Sequence, residues 1–306
     1  MTRREPAVVP RESATGAIYD LGYRGYDGPR LGRRAAAGTL FRASLRAAFG
    51  LGRAGRSKIV PWGLSAILIV PAAVAGAIQA IATAAGTAAP SPFTYDNYLW
   101  EMQILLALFV AAQAPELVSG DQRHQVLSLY FSHALARSDY ALAKLGALAA
   151  ALFVMAVAPL LVLFLASVLV AADVPAALGE QLANLPQVVG APLVYAIPLA
   201  ALGMAIAAFT PRRAFATGAI IAVFLVTGVV GAILSEAGGG RVSQLAPLLN
   251  PFVLIDGTRD WLLGGTLSDS PVRGADLPLP LFGALGAMLA LIGAAAVVWR
   301  YRRIAA

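Results

Sequence analysis

Apolar residues in this chain gather into six long runs, with polar residues confined to the stretches between them. The runs cover about 59–83, 98–118, 140–171, 188–210, 214–235 and 277–299. A helix rises about 1.5 Å per residue, and a membrane's hydrocarbon core is about 30 Å thick, so roughly 20 apolar residues suffice to cross it. The pattern predicts an all-α polytopic membrane protein with six transmembrane helices. The third run exceeds a minimal span and is expected to tilt, or to project beyond the bilayer, with Pro159 as a place to bend. Pro71, Pro159, Pro192 and Pro198 fall inside runs, where bundled neighbours can satisfy the freed backbone groups.

Ahead of the first run, within 35–58, Phe41, Leu45 and Phe49 recur at i, i+4 and i+8, with Arg42 and Arg46 on a neighbouring face. This is an amphipathic helix suited to the membrane interface, its apolar face in acyl chains and its arginines at phosphates. The same face could instead pack on another cytoplasmic domain. Residues 1–34 form a polar, basic leader: 1–17 read as disordered, and the Gly- and Tyr-rich text from Tyr19 reads as turns. No signal-peptide pattern is present.

Charge orients the spans. With the N-terminus inside, 20 Lys and Arg fall on one side and only Arg241, Arg259 and Arg273 on the other. By the positive-inside rule both termini are cytoplasmic and 236–276 faces out. Trp62 and Trp299 then lie near the inner interface, Trp100 and Trp261 near the outer one. Charged residues make up 13% of the chain, against roughly 25% in soluble domains, too few to cover a water-soluble surface. The net charge of +7 therefore reads as topology plus attraction to anionic head groups, not as a nucleic-acid footprint. Zero cysteines exclude disulfides and thiolate metal sites.

Catalytic patterns are missing. Gly50 to Ser57, GLGRAGRS, imitates the phosphate-binding loop GxxxxGK[ST] with Arg for Lys. That motif needs a strand before it and a soluble helix after it, whereas here an amphipathic helix precedes and a membrane span follows. His124 and His133 lie nine apart without further ligands and read as solvated. Inside the spans, ionisable residues reduce to Glu101, Glu116 and Lys144, with no chain of buried carboxylates to carry protons. Any work done by this protein draws its energy from elsewhere. The polar island 115–144, between the second and third spans on the predicted cytoplasmic side, is well placed to be pushed by a soluble partner.

That island, PELVSGDQRHQVLSLYFSHALARSDYALAK, resembles the segment after the second span in bacterial permeases of the ATP-binding-cassette type-2 exporter family. Glu116, Asp121, Arg123, Arg137, Asp139, Tyr140 and Lys144 match the family pattern where they stand. Gln125 stands where the family often has Gly, and Ala134 where it often has Pro. The leader YDLGYRGYDGPRLGR and the six-span plan are also similar. The stretch VSQLAPLLNPFVLIDGTRDWLLGG, with Pro247, Asn250, Pro251, Phe252 and Trp261, looks like the family's short re-entrant helices on the outer side.

The resemblance implies a bacterial, multi-pass plasma- or inner-membrane permease subunit. It implies pairing with a second permease subunit, identical or a sister chain, and docking of two cytoplasmic ATP-binding subunits. ATP and Mg belong to those partners; the chain itself holds no cofactor or metal. Docking falls to a coupling helix at about 120–131, comprising Asp121, Gln122, Arg123, His124, Val126, Leu127, Tyr130 and Phe131. In that helix Val126, Leu127, Tyr130 and Phe131 supply an apolar stripe for a partner's groove, or for the bilayer surface. Glu116, nearest the membrane, is expected to be the most sensitive acidic position. The cargo would be an amphiphile: drug-like, peptide or lipid-like. A polytopic membrane enzyme or a non-transport structural subunit is the alternative, although an enzyme would need a polar cluster at one membrane face. Small residues on helical faces, Gly146 and Ala150 in the third span and Gly283, Gly286, Ala290 and Gly293 in the sixth, are expected at close-packed interfaces of the assembled complex.

Overall fold

The computed structural model describes residue 28 and residues 32–87, 91–132, 135–264 and 271–303. Gly32 to Ala306 form one unit. The expected leader to residue 31, apart from Gly28, lies outside the described residues, as do His133 and Ala134. The regular structure among the described residues is all helical, with no strand.

Helix α1, Arg33–Ala48, begins two residues earlier than expected. It is followed by a tight turn and by α2, Arg56–Ala84. The second span is a short α3, Tyr98–Glu101, followed by α4, Gln103–Arg123. A brief α5, Leu127–Phe131, leads to α6, Arg137–Leu169. Then come α7, Val174–Leu182, a π-helical turn at Pro186–Gly190 running into α8, Ala191–Phe209, and α9, Arg213–Ala237. Helix α10, Arg241–Leu245, passes through a 3-10 turn, Ala246–Leu249, to α11, Pro251–Leu263. Helix α12, Pro271–Gly274, and α13, Leu279–Arg303, complete the chain. Six of the helical stretches are long and apolar enough to cross a membrane: α2, α4, α6, the π turn with α8, α9 and α13. These are the six predicted runs.

The spans pack closely through small residues. A Cβ on Gly293 of α13 would stand 2.8 Å from the backbone of Ala201 in α8, and one on Gly257 of α11 would stand 2.5 Å from the Phe282 ring of α13. Gly283 lies under the Trp261 indole, Gly286 under the Thr258 hydroxyl, and Gly146 faces Phe41. These glycines are therefore used inside the chain. Their expected role in contacts between subunits is corrected: what they bring together is one protomer's own helices.

Helix α1 lies along α6 and α4. Its buried positions are Leu40, Ser44 and Ala48, one step round from the predicted stripe, while Phe41, Leu45 and Phe49 are half-buried against the core and Arg42 and Arg46 are exposed. The apolar face thus meets the spans themselves, a partner that neither sequence expectation included. Phe49 follows the helix and packs beside Trp62 and Phe109. Residues 49–55 turn between two helices, so no strand precedes the phosphate-loop look-alike.

Candidate functional site

One end of the bundle gathers the ends of α4, α8 and α13, the starts of α1, α6 and α9, and α5. It is the basic end. Arg33 of α1 makes a two-pronged contact with Asp139 of α6, and Arg137 of α6 donates to the carbonyl of Arg302 at 3.1 Å, so the first and last described helices both reach the start of α6. Asp139 is the third residue of α6 and accepts from the backbone N–H of Ala136 at 3.2 Å, which also offsets the positive end of the helix dipole. Asp139's contact raises the pKa of Arg33 above its ordinary value, first through the hydrogen bond and then through its charge.

Inside this layer, Lys144 is buried. Its ammonium lies 2.9 Å from Asp121 Oδ2 and donates to the Leu117 carbonyl at 2.8 Å, while the Tyr140 hydroxyl donates to the same Asp121 oxygen at 2.7 Å. Gln122 donates to the Tyr301 hydroxyl at 2.8 Å and to the Ala208 carbonyl at 3.0 Å, and Ser119 donates to the Thr210 carbonyl at 3.1 Å. The Tyr140 ring is enclosed by Tyr130, Phe131 and Tyr301, at centroid distances of 5.5, 6.0 and 4.9 Å. Burial, and then the nearby Asp121 carboxylate, push the Tyr130 hydroxyl pKa up. Glu116 receives Arg53 from the α1–α2 turn and Arg213 from the start of α9. The family-pattern positions of the sequence analysis thus fall into three sets at this end: Glu116 with Arg53 and Arg213, Asp139 with Arg33, and Asp121 with Lys144 and Tyr140. Arg137 connects to the last of these through the Phe131 ring, while the Arg123 side chain makes no hydrogen bond or ion pair among the described residues.

The expected coupling helix needs correction. Residues 120–131 are not one helix: Asp121, Gln122 and Arg123 form the last turn of α4, and the chain breaks at His124–Val126 before α5. Val126 N–H reaches back to the Asp121 carbonyl at 3.2 Å and Gln125 N–H to the Gln122 carbonyl at 3.3 Å, with Gln125 at φ +53. This is a Schellman closure, whose left-handed position glycine fills without steric cost. The ends of α1 and α2 close in the same way and carry Gly50 and Gly86 there. The stripe is also redirected. Leu127 is 6% exposed, and Val126, Tyr130 and Phe131 are half-buried, the two rings against Tyr140. What α5 presents outward is Ser128 and Leu129, the latter 67% exposed, beside Arg123, His124 and Gln125.

A groove of about 450 Å³ opens beside this elbow, lined by Arg53, Glu116, Asp121, Arg123, His124 and Arg213 among others. A second groove, of about 300 Å³, runs between α4 and α9 and is mostly apolar; Gln103 and Asn250 place amides in its lining. At the other end of the bundle, α11 starts on Asn250, whose side chain accepts from Phe252 N–H at 2.9 Å, with Pro251 as first helical residue. Pro247, Pro251 and Phe252 are buried, and Trp261 is exposed although its ring lies against Gly283.

Sequence reasoning missed a buried polar cluster here. Arg259, 1% exposed, contacts Asp256 at 3.2 Å and Asp260 at 2.5 Å and donates to the Asp96 carbonyl, while Tyr195 donates to Asp256 at 2.7 Å. The signal was legible: three charges at i, i+3 and i+4 in an otherwise apolar stretch. No protein-family model matches this chain, and no curated protein matches its sequence. The three-dimensional arrangement and the residues themselves carry the functional argument. No group of residues able to hold a metal occurs among the described ones.

Proposed function

We propose that this chain is the transmembrane permease subunit of an ATP-binding-cassette type-2 exporter in a bacterial cell membrane, with the basic end facing the cytoplasm. The observation that carries the reading is the welded elbow at α4–α5. The ion pair Asp121–Lys144, the Tyr140 ring cluster and the Gln122–Tyr301 bond tie this elbow to α6 and α13, and Gln122 and Ser119 tie it to the α8–α9 turn. A force applied to α5 from outside the chain would reach four spans without first loosening a contact. The docking face is the outward one, Ser128 and Leu129, not the stripe spent on Tyr140.

Two ATP-binding subunits would supply ATP hydrolysis with Mg, and a second permease copy or sister chain would complete the pathway. Supporting the pairing, α2 and α9 are the least covered spans, with Ile67, Val70 and Val74 on one and Leu225, Val229 and Ile233 on the other exposed. The α4–α9 groove suits an amphiphilic cargo, its apolar walls for a hydrocarbon portion and Gln103 and Asn250 for a polar one. Outward movement from the cytoplasm or inner leaflet is the direction this reading assigns.

The test is co-purification with the candidate ATP-binding subunit in detergent, comparing the wild type with Leu129→Asp. An exposed contact residue can change without loss of fold, and a docking anchor typically contributes about 2 kcal/mol, or about thirtyfold in affinity. Loss of the ATPase from a normally inserted Leu129→Asp protein is the expected result. Equal capture by both proteins would remove the docking assignment.

A further inference from the structure

The groove at the basic end holds more positive charge than the fold consumes. Arg53, Arg123 and Arg213 line it together with His124, against two carboxylates, Glu116 and Asp121. Asp121 is committed behind the groove to Lys144 and Tyr140. Glu116 alone faces the cations, and it already receives both Arg53 and Arg213. Among the described residues the side chains of Arg123 and His124 make no hydrogen bond or ion pair, and both are exposed.

Three separate elements bring these groups together: the α1–α2 turn, the end of α4 and the start of α9. The turn is held in place by Gly50, at φ +67, where a Cβ would stand 2.5 Å from the Ser57 carbonyl oxygen. The stretch that imitates a phosphate-binding loop therefore contributes a guanidinium, Arg53, and not a cradle of amides. Guanidiniums converging from several directions suit a tetrahedral oxyanion, which can accept from each with a different oxygen. The groove also lies at the ends of α4 and α9, two helices long and apolar enough to cross a membrane, so in a bilayer it would open near the head groups.

We propose that this groove binds a phosphate group, held by Arg123 and His124 with Arg53 and Arg213 on its flanks. Two sources share that chemistry: the head group of an anionic phospholipid, and a soluble phosphate ester. The assignment goes beyond ATP-driven export and does not depend on it.

The full chain is reconstituted in nanodiscs of phosphatidylcholine containing a minor share of phosphatidylglycerol, and retained lipid is read by native mass spectrometry. In parallel, glycerol 3-phosphate is added to pure phosphatidylcholine discs and the unfolding temperature followed. The variant is Arg123→Gln with His124→Gln; Arg34→Gln, on the exposed face of α1, controls for net charge. Enrichment of phosphatidylglycerol that falls about fivefold in the double variant but not in Arg34→Gln assigns the lipid, at about one surface cation's worth of attraction. A rise in unfolding temperature with glycerol 3-phosphate, lost in the double variant, assigns the soluble ester. No preference in either arm, or a preference equal in the wild type and the double variant, overturns the proposal. ATPase capture by the same proteins is measured separately, so docking and phosphate binding can fail independently.

Discussion

Asp121 and Glu116 stand five residues apart on one helix, and their partners give them different weights. Glu116 touches two arginines whose side chains are 41% and 64% exposed, contacts that water screens. Asp121 neutralises Lys144, whose side chain is 8% exposed. The expected order of sensitivity therefore reverses. Glu116→Ala should cost at most about 1 kcal/mol, while Asp121→Ala strands a buried ammonium and should cost about 3–5 kcal/mol. Unfolding in detergent, followed by intrinsic fluorescence, measures both. Asp121→Asn combined with Lys144→Met should recover much of the loss, because the penalty lies in the uncompensated charge. Gln125 makes a second case. Its left-handed backbone is sterically strained by about 1 kcal/mol or more, part of which the looser unfolded state of a glycine variant takes back. Gln125→Gly should stabilise by about 0.5 kcal/mol, and a lowered unfolding temperature would contradict the closure described for α4. The motif residues themselves were legible in the sequence, but their partners were not. Spacing along one helix says nothing of Arg53, Arg213 or Tyr301, which arrive from elements up to 179 residues away.

At the scale of elements, hydrophobic runs located all six described helices long and apolar enough to cross a membrane, because a bilayer demands length and apolarity whatever the tertiary contacts. Legibility failed where local chemistry, not apolarity, decides. Helix α7 begins on Asp173, whose side chain accepts from Ala176 N–H at 3.2 Å with Pro175 in the first turn, a start signal that the apolar runs on either side do not show. The break between α4 and α5 was hidden because Gln125 replaces the glycine that would have announced it. In α1 the buried positions lie one step round from the predicted stripe, and periodicity alone cannot say whether an apolar face meets lipid or protein. Small residues were likewise found without their partners. Since Gly286 and Gly293 lie against α11 and α8 of the same chain, Gly286→Leu and Gly293→Leu should each cost about 3 kcal/mol or more through overpacking. The yield of folded single chains should fall, as read by size-exclusion chromatography of fluorescent fusions. Gly146→Ala should be tolerated, since its Cβ would meet Phe41 at 3.6 Å, ordinary contact distance. Full yield of monomer with loss only of larger species in the first two variants would return these glycines to a subunit interface.

At the scale of the whole molecule, the 20 Lys and Arg assigned to one side by sequence and the contacts between helix ends describe one polarity. Arg33 near the start and Arg302 near the end both join the start of α6. Helices that cross a membrane between those two points would do so an even number of times, whichever compartment the end faces. Charge supplies the sidedness: translocating a loop rich in Lys and Arg is disfavoured, so the basic end should remain in the cytoplasm. Because the chain has no cysteine, single cysteines report position without background. Arg34→Cys and Arg302→Cys, both at exposed sites, should resist an impermeant thiol reagent in intact cells and react after lysis. Gly239→Cys, in the open turn between α9 and α10, should react in intact cells. Labelling of Gly239→Cys only after lysis, with Arg34→Cys and Arg302→Cys labelled beforehand, would invert the molecule. The elbow at α5 would then face away from any cytoplasmic ATPase, and the proposed function would fall with it. Opposite behaviour of Arg34→Cys and Arg302→Cys would contradict the fold itself, since no even-span bundle can place them on different sides.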